Sequence, residues 1–65
     1  MLFRVYLEKE PFMENIRLIK ATPEGVALKD NMGVSRIVDG VYVAEVESVA
    51  GYVTLRHAQR AGPGS

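Results

Sequence analysis

Apolar and polar residues alternate from Leu2 to Glu8, with Phe3, Val5 and Leu7 on one face and Arg4, Tyr6 and Glu8 on the other. A period of two marks a half-buried strand. Lys9-Glu10-Pro11 is expected to end it, because proline cannot donate to a ladder. Phe12 and Met13 then fall in a short connection. Asn15 to Ala21 reads as a second strand, with Ile16 and Leu18 on one face and Arg17 and Ile19 on the other. Met13, Ile16, Leu18 and Ile19 also nearly fit a 3.6-residue period, so a helix over Phe12 to Lys20 stays open.

Thr22-Pro23-Glu24-Gly25 is a turn signal, since proline presets φ and glycine accepts positive φ. A short third strand follows, with Val26 and Leu28 inward. Asp30-Asn31-Met32-Gly33 is the next turn. Val34 to Asp39 reads as strand four, and Gly40 permits a sharp bend before strand five, Val41 to Ser48. There Tyr42, Ala44 and Val46 oppose Val41, Val43, Glu45 and Glu47. Ala50-Gly51 turns the chain into strand six, Tyr52 to His57, with Val53 and Leu55 inward. Five or six short strands at this spacing predict an all-β fold, a small barrel-like domain of antiparallel strands over residues 1–57. Ala58 to Ser65 lacks apolar periodicity and is expected to be a flexible tail.

Composition adds a constraint of size. With 65 residues the chain makes one small domain, and with no cysteine it has no disulfide. Chains this short commonly add a disulfide, a metal or a second subunit to a thin core. The first is impossible here and the second has no strong motif, so a homodimer is expected. Eight basic and eight acidic residues give zero formal charge. That removes the electrostatic footprint of a typical nucleic-acid binder. No apolar run approaches the ~20 residues of a membrane span. The N-terminus has no signal-type pattern, so a cytoplasmic protein is expected.

Candidate chemistry is sparse. His57 is the sole imidazole and a weak metal candidate; its plainer role is an exposed strand end. Glu45 and Glu47 lie about 7 Å apart at i, i+2 spacing, the geometry of paired carboxylates and also of any solvated strand face. Arg4 and Tyr6 share a face, and with Arg17, Arg36 and Arg56 they make the possible RNA-binding set, since sheet proteins stack single-stranded bases on aromatics flanked by cations. No hydroxyl has a base beside it, so an enzyme is not expected.

The ordered blocks Val5-Tyr6-Leu7, Glu14-Asn15-Ile16, Thr22-Pro23-Glu24-Gly25, Val26-Ala27-Leu28-Lys29-Asp30, Gly33, Ile37-Val38-Asp39-Gly40 and Glu45-Val46-Glu47 resemble the CooT-like family of very small bacterial and archaeal proteins. The resemblance runs from Val5 to His57. It implies a compact β-barrel-like homodimer. It also implies nickel, because members near the founding protein bind that metal, and that protein accompanies maturation of the nickel enzyme carbon monoxide dehydrogenase. Other members carry the label of predicted RNA-binding protein. The nickel-binding members begin Met-Cys, with the thiolate as ligand near the two-fold axis. Here that slot falls on Met1, whose neutral thioether is a poor ligand for a divalent ion. The resemblance thus implies a non-catalytic, homodimeric accessory or binding protein with a metalloenzyme-maturation partner and without the family's nickel site. Leu2 and Phe3 would pack at the dimer interface. An RNA-binding module is the alternative.

Overall fold

The computed structural model describes residues 1–58; most of the expected tail, residues 59–65, lies outside them. Six strands follow in chain order, β1 Phe3–Leu7, β2 Glu10–Ala21, β3 Gly25–Asp30, β4 Ser35–Asp39, β5 Val41–Glu47 and β6 Tyr52–His57. They form one sheet in the order β4-β3-β2-β1-β6-β5. The fold is all-β, and the helix left open over Phe12 to Lys20 does not form.

Two architectural expectations need correction. The sheet is mixed, because β1 and β6 run parallel, with Val5 beside Val53 and Leu7 beside Leu55. Nor does it close into a barrel: β4 and β5 remain its two edges. Those edges are joined in sequence by Gly40 alone. They can meet there only if the sheet bends back on itself.

The bend lies in β2. Its first half pairs with β1, from Leu7↔Glu10 to Phe3↔Ile16, and its second half pairs with β3, from Ile16↔Asp30 to Ala21↔Val26. The register shifts on both sides of Ile16: against β1 between Met13 and Ile16, where Asn15 takes a φ of +60°, and against β3 between Ile16 and Leu18. A bulge sharpens twist and bend in this way, and Asn tolerates positive φ better than most residues. The second half of β2 then carries β3 and β4 across the β1–β6–β5 part.

This bend explains two side chains that depart from simple alternation. Ile16 is fully buried, whereas Leu18 is 50% exposed and Ile19 takes the half-buried position. A bulge in β5 between Val43 and Glu45 places Val46 opposite Val53, on the side of Val41 and Val43. The expected break at Lys9-Glu10-Pro11 is only a two-residue turn, and β2 begins at Glu10. Pro11 fits because this stretch of β2 pairs with β1 alone and needs no second ladder.

Val5, Ile16, Val26, Leu28, Val41, Val53 and Leu55 are the buried core, drawn from both halves of the bent sheet. Gly25 is the tightest point: a Cβ there would lie 2.0 Å from the Val38 carbonyl oxygen. Gly40, with φ +74°, donates its N–H to the Glu24 carbonyl and accepts from the Ala58 N–H.

Candidate functional site

Three places on this fold bring chemistry-bearing side chains together. The first is an open mouth between the two halves of the bent sheet. Phe3, Val43, Val46 and Val53 line it from one half of the sheet, and Arg17, Leu18, Ile19 and Ala21 line it from the second half of β2. The cleft holds about 400 Å³. Val46 is 58% exposed and Leu2, which leads into Phe3, is 44% exposed. Apolar side chains left in water at a concave site are the usual mark of a contact surface. Phe3 lines this cleft, and Leu2 precedes it in sequence.

The second place is the outer face of β1, β6 and β5. Arg4 lies beside Tyr52, Tyr6 beside Thr54, Thr54 beside Glu45 and Tyr52 beside Glu47. The Tyr6 and Tyr52 rings meet edge to face, 6.1 Å apart at 84°. The Tyr6–Tyr52 pair depends on the parallel β1–β6 pairing, which the local pattern of either strand does not encode. The five cationic and aromatic RNA candidates do not assemble here. Arg4 and Tyr6 share this face, but Arg56 lies 3.4 Å from the Glu8 carboxylate and Arg36 stacks 5.0 Å from the Phe12 ring centre. Arg17 lines the apolar mouth.

The third place is the turn between β1 and β2. Glu8 has a φ of +58°, a rare conformation for a residue with a side chain. Its carboxylate accepts the His57 N–H at 2.8 Å and lies 3.3 Å from His57 Nδ1. The donated His57 N–H holds the Glu8 carboxyl below the ordinary glutamate range; desolvation opposes it, and Arg56 and the His57 ring add to it. Sequence spacing gave no sign of this contact, because residues 8 and 57 meet only through the parallel pairing.

These positions bear on nickel. Met1 precedes the start of β1, whereas His57 ends β6, and the two strands run parallel. The two weak metal candidates thus stand at opposite ends of the pair, and the strand from the Phe3 level to His57 alone spans roughly 20 Å at ~3.3 Å per residue. Among the described residues no three His, Cys, Asp or Glu side chains cluster, and the sequence has no thiol. The donors of one chain do not fit the thiolate site that the resemblance implies. No helix among the described residues is long and apolar enough to cross a membrane.

No family model matches the sequence, and no curated protein matches it. A solved structure does resemble the backbone. A "putative CooT" from Carboxydothermus hydrogenoformans aligns with a TM-score of 0.78 at 17% identity, over 91% of this chain and 100% of that one. Near-complete coverage in both directions means that the bent mixed sheet is the whole of the shared architecture. The chain has the fold of CooT-like proteins.

Proposed function

We propose that this chain is a non-catalytic, homodimeric accessory or binding protein of the CooT-like kind. The observation that carries the reading is the open mouth, where Phe3, Leu18, Val43 and Val46 line a concave surface that one copy leaves uncovered. A second copy covers it. The small chain gains buried apolar area without a disulfide, at roughly 25 cal/mol per Å² removed from water. Among the described residues Arg17 is the sole charged one in the lining, so closure desolvates little charge. In this reading the dimer serves as a docking body for a metalloenzyme-maturation partner, and it does so without a thiolate nickel site. The wide separation of Met1 and His57 supports the last point.

Sedimentation equilibrium tests the assembly. The expected result is a dimer at micromolar loading that Leu18→Asp or Val46→Asp converts to monomer. A monomer for the unmutated chain across all loadings overturns it. Calorimetric titration with nickel tests the metal: no stoichiometric binding below micromolar is expected, and tight binding refutes the lost site.

The RNA reading has one favourable observation, the Tyr6–Tyr52 pair with Arg4 beside it. Glu45 and Glu47 on the neighbouring strand oppose a phosphate backbone there. A salt-dependent gel shift with single-stranded RNA at low ionic strength would revive that reading, and its absence is the expected result.

A further inference from the structure

The outer face is divided electrically by Tyr6. On its β2 side lies a hollow of about 280 Å³ lined by Arg4 and Glu14 among apolar groups. On its β5 side lies a second hollow, of about 310 Å³, lined by Tyr6, Tyr52, Thr54 and Glu45. Arg4 belongs to the first lining and not to the second, so among the described residues the second has a carboxylate and no cation. An edge-to-face pair covers one face of one ring and leaves faces of the other available. Glu47, the other acid of this strand face, is engaged: its Oε2 accepts the Ala50 N–H at 2.8 Å. Glu45 has no such partner among the described side-chain contacts and is exposed.

We propose that the hollow between Tyr6, Tyr52, Thr54 and Glu45 binds an organic ammonium group. Aromatic faces attract a cation through the ring quadrupole, and the preference is strongest for bulky, weakly hydrated ammonium ions. The Glu45 carboxylate supplies the matching charge at the rim, and the Thr54 hydroxyl an acceptor. A phosphate or carboxylate ligand is disfavoured by the same carboxylate. The group has two sources, a free small amine or the end of a lysine side chain, and both present the same chemistry to the hollow. The site is independent of the apolar mouth, so it stands or falls apart from the dimer.

Nuclear magnetic resonance of the full ¹⁵N-labelled chain tests it at low salt. Tetramethylammonium chloride and a short peptide with one trimethylated lysine are titrated separately, with sodium chloride at matched ionic strength and tert-butanol as the neutral isostere. The expected result is saturable shifts centred on the amides of Tyr6, Tyr52, Thr54 and Glu45 that neither control produces. Saturation by the free cation alone assigns a small amine, and saturation by the peptide alone assigns a side chain; either supports the proposal. Glu45→Gln and Tyr52→Leu are each expected to weaken binding about two- to fivefold, the exposed-site cation–π and ion-pair range. Glu45→Gln alters an exposed side chain without changing its shape, so it keeps the fold even if Tyr52→Leu does not. Shifts no larger than those with sodium chloride overturn the proposal. So do equal shifts with tert-butanol, or affinity unchanged by Glu45→Gln.

Discussion

The two ends of the bent sheet are built on different terms. At the Gly40 end backbone meets backbone: the Gly40 N–H donates to Glu24, the Ala58 N–H donates to Gly40, and Gly25 lets β4 pass where no side chain fits. At the mouth side chains face each other across a cleft, and Leu18 and Val46 stay at least half exposed. Hydrogen bonds are local and directional, so one chain can complete them. Apolar area is not directional, and 65 residues do not supply enough of it to fill both ends. The closed end therefore specifies the fold, and the open end is available to a second molecule.

Substitutions at the two ends should differ accordingly. The largest effect is expected for Gly25→Ala. The added methyl would sit 2.0 Å from the Val38 oxygen, so β4 must move or the pairing of β3 with β4 must break. A loss of ~3 kcal/mol or more is expected in urea unfolding, at the upper end of overpacking costs. Ile16→Ala comes close behind, at about 2 to 5 kcal/mol, because the residue is fully buried between the halves of the sheet. Leu18→Ala, two positions along, should cost the isolated protomer only about 0.5 kcal/mol as a half-exposed residue. Its effect should instead appear as a melting temperature that no longer rises with protein concentration, the mass-action mark of a dimer. A protomer-level loss as large as that of Ile16→Ala would show that the mouth is ordinary core and would break the contrast.

Much of this fold is readable in the sequence, and what is not has two causes. Strict alternation placed Val5, Val26, Leu28, Val53 and Leu55 inward, and all five are buried. Alternation fails at a bulge, because one extra residue reverses every later side chain. Leu18 and Val46 each lie just beyond a bulge: alternation puts Leu18 with Ile16 and Val46 opposite Val43, and neither holds. The mouth is made of them, so it could not be read from spacing. The parallel β1–β6 pairing was hidden for a different reason. It joins residues about fifty positions apart, and no local turn signal announces it. Tyr6 was legible as an outer-face residue; that Tyr52 stands against it was not. The blocks that resemble the CooT-like family did point to a CooT-like all-β fold, because their order encodes the turns that the bulges do not disturb.

The smallest expected effect belongs to Glu8, and it tests the closed end by pH. Its strained backbone is held by a carboxylate that accepts the His57 N–H, near Arg56 and the His57 ring. Because these partners favour the ionised form, the folded pKa lies below the unfolded value of about 4.3. A carboxyl with a lowered folded pKa binds its proton more readily in the unfolded chain. Its stabilisation is complete above the unfolded value and is lost as pH falls through the folded one. Thermal unfolding at stepped pH should thus show a decline below about pH 4.3 that is shallower in Glu8→Gln, which has no proton to gain. At neutral pH the same variant should be slightly less stable than the parent, because the amide keeps an acceptor for the His57 N–H but loses the charge. Glu8→Gly separates strain from contact. If relief of the +58° φ outweighs the lost carboxylate, this variant is more stable than Glu8→Gln, and the turn is then governed by backbone conformation and not by its clasp on β6.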